Sequence, residues 1–183
     1  MGELEILDHL TRLFRRYQLR YLLTGGYAVT YYGEPRATND VDFLVEITAT
    51  SKPLLRDLIR EMGPDYIYDI TAVDELSDQT AEFNVVHGKT GIKIDFWVIP
   101  RIEFGYRYKR KRKVSIGGEK VTLISAEDLI LNKLFWIRQV FSERHFRDCV
   151  GIWRVQGDLL DKKYLRSEAA KRGILDLLNE ISK

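Results

Sequence analysis

Apolar residues Leu7, Leu10, Phe14 and Tyr17 recur at helical spacing, so the chain is expected to open with an amphipathic helix near residues 3–18. Tyr21-Leu22-Leu23 reads as a short buried strand. Ala28 to Tyr32 reads as a short helix that Gly33-Glu34-Pro35 ends, because neither Gly nor Pro supports its continuation. Val41 to Ile47 fits a second strand. Leu54, Leu55, Leu58 and Ile59 mark a helix stopped by Gly63-Pro64. Tyr66 to Ile70 fits a short strand, and the polar, acidic stretch Ala72 to Thr80 a loop. Phe83 to Val86 and Ile92 to Ile99 alternate as strands joined across Gly88 and Gly91, and Val114 to Ile124 reads as a hairpin turned at Gly117-Gly118.

Beyond Ile124 the period changes from two to nearly four. Ser125-Ala126-Glu127-Asp128 has the spacing of a capping box at a helix start. Ile130, Leu134, Ile137 and Phe141 line that helix, Phe146, Cys149, Val150 and Trp153 the next, and Leu165 to Ile181 one more. The expected fold is α+β: a mixed β-sheet core with flanking helices over residues 1–124, and a small C-terminal helical region, 125–183, packed on it. There is no internal repeat, low-complexity tract or long linker.

Composition narrows the class. The 183 residues, 45% hydrophobic and 31% charged, suit one domain, or one with a small appendage. No apolar run approaches the roughly 20 residues that span a bilayer. The N-terminus lacks the charged start and apolar stretch of a secretion signal. The single cysteine, Cys149, excludes an internal disulfide and a cysteine-based zinc site. A cytoplasmic location without a membrane partner is therefore expected. The net charge of +2 says nothing about partners.

The candidate chemistry follows from strand parity. Successive side chains on a strand point to opposite faces. Asp40 and Asp42 share one face, with Val41, Phe43 and Val45 on the other. In Lys93-Ile94-Asp95-Phe96-Trp97, Asp95 shares its face with Lys93 and Trp97. If the two strands are neighbours, three carboxylates gather above an apolar face. Such a cluster repels itself. A hard divalent ion, Mg²⁺ or Mn²⁺, relieves that repulsion, with substrate phosphates completing its shell. Gly25-Gly26 lies between a strand and a helix, where the backbone can approach a ligand closely and the helix start favours an anion. No Gly-Lys-Ser/Thr follows it, and the G-x-G-x-x-G spacing is missing. By itself the glycine pair is as well explained by a simple turn; its order with Asp-x-Asp and Asp95 is the stronger signal.

Thr24-Gly25-Gly26-Tyr27-Ala28-Val29 followed by Arg36-Ala37-Thr38-Asn39-Asp40-Val41-Asp42 resembles the signature of the polymerase-β-type nucleotidyltransferase superfamily. The Arg-x-Thr-x-Asp-x-Asp form, with Leu131-Asn132-Lys133-Leu134 through Arg138 and with Arg147-Asp148, resembles the AbiEii-type toxin nucleotidyltransferases. The likeness runs from about Leu22 to Trp153, in a chain shorter than is typical of that group. It implies transfer of a nucleoside monophosphate from an NTP to a hydroxyl, with Asp40, Asp42 and Asp95 as catalytic metal ligands. It also implies a nucleotide site that includes Gly25, Gly26, Arg36, Thr38, Lys133 and Asp148. An RNA or tRNA acceptor and an antitoxin partner are further implications. Small antibiotic nucleotidyltransferases carry a similar pattern, and a catalytically silent binding module is the alternative outside enzymes.

Several of these residues also have plainer readings. Lys133 fits a snorkelling surface lysine, and Arg144 with Asp148 fits an exposed i,i+4 pair. Arg36 either clamps phosphate or neutralises the carboxylates. Arg107, Lys109, Arg110, Lys111, Arg112 and Lys113 are basic, interrupted only by Tyr108. They suit a nucleic-acid backbone with a stacking ring, or equally a charged sheet edge that prevents aggregation. Asp69, Asp74, Glu75 and Asp78 would form the acidic pocket that a cationic antibiotic needs. His9, His87 and His145 show no metal-ligand spacing and are expected to be structural.

Overall fold

Seven strands pair into one mixed sheet in the computed structural model, which describes residues 2–183. In chain order the first elements are α1 (Glu3–Arg16), β1 (Tyr21–Leu23), α2 (Gly25–Tyr32), β2 (Asp40–Val45) and α3 (Ser51–Glu61). Then follow β3 (Tyr66–Ile67), α4 (Ile70–Glu75), β4 (Ala81–His87), β5 (Lys93–Val98), α5 (Arg101–Lys109), β6 (Arg112–Ile116) and β7 (Glu119–Leu123). The chain closes with α6 (Ala126–Gln139), α7 (Glu143–Gln156), α8 (Lys162–Lys171) and α9 (Leu175–Ile181). The sheet order is β3-β4-β5-β2-β1-β7-β6, with β2–β5 and β1–β7 parallel and the other pairs antiparallel. The architecture is thus the expected mixed-sheet α+β fold.

The chain divides into two compact units. The first holds the residues up to Gly26 and Thr38–Ile124; the second holds Tyr27–Ala37 and Ser125–Lys183. All seven strands lie in the first. Its core forms where the apolar parities of the strands meet α1. Phe14 reaches the rings of Tyr21, Phe43 and Phe96 at 4.4, 4.9 and 6.2 Å. Phe83 stacks on Phe96 at 4.6 Å, across the β4–β5 register. Edge and offset ring contacts of this kind add to the area they bury. The opposite parity, carrying Asp40, Asp42 and Asp95, is left for polar chemistry.

In the second unit α6 and α7 bury Ile130, Leu131, Leu134, Cys149 and Ile152, and α8 and α9 add Leu165, Ala169 and Leu178. Ser125 caps α6 as its spacing predicts, its Oγ accepting the Asp128 amide at 3.1 Å. Gly33 is required by close packing, since a Cβ there would come within 3.0 Å of the Ile152 backbone nitrogen.

Five local readings change. The short helix begins at Gly25 rather than Ala28. The expected loop over Ala72 to Thr80 begins with α4, because Asp69 accepts the Thr71 amide at 2.9 Å and caps it. Residues 101–109 form a helix that dense charge hides in the sequence; it is anchored by Phe104, which is fully buried. The last helix is two, interrupted at Gly173, whose φ of +65° no ordinary helix residue adopts. Phe141, expected on the apolar stripe of α6, lies beyond the helix end and is 73% exposed.

Phe96 is fully buried and touches Phe14, Phe43 and Phe83. Phe96→Ala is expected to lower unfolding free energy by about 3–5 kcal/mol through lost transfer energy and a residual cavity. Urea denaturation measures this; a loss below about 1 kcal/mol would mean the aromatic cluster is not the core.

Candidate active site

β2 and β5 run parallel and adjacent, and their register sets Asp42 directly beside Asp95 and Asp40 beside Lys93. In-register residues on neighbouring strands share a face, so the three acids expected to converge stand on one side of the sheet. β4 extends the same face: Asn84 is level with Asp95, and Glu82 with Trp97.

Behind the acids, Gly25 packs against Asp42 so tightly that a Cβ would fall 1.8 Å from Asp42 Oδ2. Gly25 also has φ +60°, a conformation that L side chains rarely adopt. The Thr24 amide donates to the Asp42 carbonyl at 2.9 Å, tying the turn to β2. Gly26 makes room for Thr38, whose Oγ1 a Cβ would approach to 2.3 Å, and that hydroxyl donates to the Asp40 carbonyl at 3.2 Å. The start of α2, with its partial positive charge, is thereby fixed against the first aspartate pair.

Asp95 is 6% exposed. Its carboxyl is pushed up to about 6, first by burial and further by the Asp42 and Glu82 charges, against the opposing pull of Lys93. The Lys93 ammonium lies 2.7 Å from Oδ1, an ion pair that opposes the rise. Two adjacent carboxylates, one of them buried and reluctant to ionise, are the donor chemistry that a hard divalent cation takes. The residues therefore fit such an ion at the Asp42–Asp95 pair, with Asp40 next along the face. Among the described residues no three acidic, His or Cys side chains already converge on one point.

The second unit holds a separate cluster. Arg36 grips Asp148 bidentately, Nε to Oδ1 at 2.8 Å and Nη2 to Oδ2 at 3.0 Å. Lys133 Nζ donates to Oδ2 at 2.8 Å. Lys133 and Asp148 are 7% and 6% exposed. Burial raises the Asp148 carboxyl, but the hydrogen bonds and charges of Arg36 and Lys133 outweigh it and hold the group below the usual range. Two cations on one carboxylate leave a surplus positive charge. The exposed Arg144–Asp148 pair does not form; Lys133 is no snorkelling residue, and Arg36 neutralises Asp148 rather than the three-acid face.

The basic tract splits. Arg107 is 6% exposed and bonded to Glu103, so it is withdrawn from the surface. Lys111 donates to the Tyr108 carbonyl and lies 4.1 Å over that ring. Lys109, Arg112 and Lys113 stay exposed, and Lys109 lies 5.8 Å from the ring of an exposed Tyr106 that sequence reasoning passes over. The expected acidic pocket is not assembled from free carboxylates. Asp69 caps α4, Asp74 pairs with Arg56 at 2.7 Å, and Asp78 accepts the Arg101 amide at 2.6 Å. His9 and His87 make structural bonds, to the Met62 carbonyl and the Thr90 hydroxyl. Lys93 and Glu82 complete the carboxylate face. Parity places Lys93 there, but no sequence signal marks it as the partner of Asp95.

The sequence pattern of the family described as nucleotidyl transferase AbiEii toxin, type IV TA system, matches residues 6–180. No curated protein matches the chain. Among solved structures, the solution structure of the antibiotic-resistance factor ANT(2'')-Ia is 15% identical, with TM-score 0.62 over 96% of this chain and 94% of that one. The crystal structure of ANT(2'')-Ia with adenylyl-2''-tobramycin is 13% identical, with TM-score 0.63 over 94% and 97%. The lincomycin-bound lincosamide antibiotic adenylyltransferase LnuA is 16% identical, with TM-score 0.56 over 85% and 98%. These likenesses establish the fold. No helix among the described residues is long and apolar enough to cross a membrane.

Two outcomes follow from the charges. Asp95 has a folded-state value near 6, above its unfolded value near 3.8, so the folded form binds more protons between these pH values. Stability is then lost as pH rises through this window. Asp95→Asn is expected to stabilise the metal-free protein by about 1–3 kcal/mol above pH 6, with the gain vanishing near pH 4; melting curves across pH test it. Asp148→Ala leaves two cations without their carboxylate and is expected to cost about 3–5 kcal/mol. Lys133→Met in the same chain should restore part of that loss, and denaturation of both variants gives the comparison.

Proposed function

We propose that this chain, which belongs to the AbiEii nucleotidyl transferase toxin family and is a nucleotidyltransferase, transfers a nucleoside monophosphate from an NTP to a hydroxyl acceptor, releases pyrophosphate, and depends on Mg²⁺ or Mn²⁺. The observation that carries this reading is the register of Asp42 beside Asp95, with Gly25 fitted against Asp42. Asp40, Asp42 and Asp95 hold the metal. A divalent ion bound there supplies Lewis acidity, lowering the acceptor hydroxyl's pKa and neutralising charge on the phosphates. Gly25 and Gly26 present the start of α2 to the polyphosphate, and Thr38 holds the Asp40 backbone in place. Asp95 is placed to accept the hydroxyl proton. Within the second unit, Arg36 and Lys133, oriented by Asp148, carry a surplus positive charge that suits an anionic group.

RNA, with a tRNA 3′ end as one form of it, is the acceptor this reading favours. Exposed Lys109, Arg112 and Lys113 suit a phosphate backbone, and Tyr106 beside Lys109 suits a stacked base. A small cationic antibiotic is the second reading, since ANT(2'')-Ia and LnuA share the fold and carry such compounds in their structures. The commitment of Asp69, Asp74 and Asp78 to local bonds counts against it. An antitoxin is the protein partner that family membership points to, and a silent binding module is disfavoured by the intact set of three acids.

Incubation with each α-labelled NTP and Mg²⁺, against total RNA, protein extract and aminoglycosides in turn, identifies the acceptor by the fraction that gains label. Asp42→Ala is expected to cut labelling at least about 100-fold while keeping a native melting transition. Equal labelling by variant and wild type would refute the metal mechanism.

A further inference from the structure

Lys93 is level with Asp40 on β2 and Val86 on β4. Its Nζ nevertheless lies 2.7 Å from Asp95 Oδ1 and 3.4 Å from Glu82 Oε1. Glu82 is level with Trp97, two residues beyond Asp95 along β5. A strand advances about 3.3 Å per residue. The lysine side chain must therefore lie along the face and across Asp95 to reach both acids. This accounts for three facts together. Asp95 is almost fully covered, whereas the Lys93 side chain keeps 39% exposure. Asp95 Oδ1 has a cation at contact distance. Among the described residues, no three acids converge, although two stand in register and the third is next along the strand. The ammonium already donates to Glu82 Oε1 at 3.4 Å, so the neighbouring strand gives it an acceptor to keep if it leaves Asp95.

We propose that Lys93 is a resident counter-cation that bridges Asp95 and Glu82, occupies the place of the divalent ion at Asp95, and withdraws onto Glu82 alone when that ion binds. The inference rests on the metal-dependent reading given under Proposed function. Lys93 is thus a positioning residue. It holds the buried carboxylate in the absence of metal, and its displacement sets how tightly the metal binds.

The test is a Mn²⁺ titration of the full chain without nucleotide, with free ion read by electron paramagnetic resonance and folding checked by melting curves. Removing one positive charge at contact range is expected to raise Mn²⁺ affinity about tenfold in Lys93→Met and Lys93→Gln. Lys93→Arg, which keeps the charge, should bind as wild type does. Glu82→Gln should weaken binding several-fold, and that effect should shrink in the Lys93→Met background, where nothing needs a resting place. Unchanged or weaker affinity in both Lys93→Met and Lys93→Gln, beside a wild type that binds Mn²⁺, overturns this inference alone. No binding by wild type or any variant overturns the metal reading itself and this inference with it.

Discussion

Two carboxylates forced side by side on adjacent parallel strands are the constraint around which this protein is arranged. The β2–β5 register that sets Asp42 beside Asp95 is the same register that stacks Phe43 against Phe96 on the reverse face. The aromatic core therefore enforces the electrostatic conflict: the strands cannot slip by one residue without sending every phenylalanine to the polar side. Stability gained from the apolar face is spent in part on holding like charges together, a strain characteristic of functional sites rather than of well-satisfied cores.

The two units handle charge in opposite ways. In the second, Asp148 is compensated by both Arg36 and Lys133 in near-ideal geometry, and burial leaves it ionised. In the first, the Lys93 ammonium at Asp95 is shared with Glu82, and burial prevails. One cluster is rigid and prepaired; the other is incomplete. Ion-binding chemistry belongs with the incomplete one, because a fully satisfied carboxylate gains little from a new cation.

The remaining charged segments sort by the same criterion. The acidic residues around α4 are engaged in caps and local pairs, and Arg107 is buried with its own glutamate. Lys109, Arg112 and Lys113 remain in solvent, with the Tyr106 ring beside Lys109. Charge density in a sequence therefore overstates the binding surface: geometry removes residues from the tract one at a time.

The sequence by itself determined the strand parities, the glycine positions, the Ser125 cap and the order of the carboxylates, because each depends on neighbours within a few residues. It also carried the family likeness through Lys133 and Asp148. Only the tertiary structure decided which strands are adjacent, and hence that Asp42 meets Asp95 and that Lys93 crosses toward Glu82. It alone revealed that Asp148 is claimed by Arg36, 112 positions earlier. It also placed α5, where Phe104 and Arg107 are drawn inward within a charged stretch that reads as surface. These outcomes depend on contacts between residues far apart in the chain, and no local pattern of polarity encodes which distant partner a long, charged side chain will find.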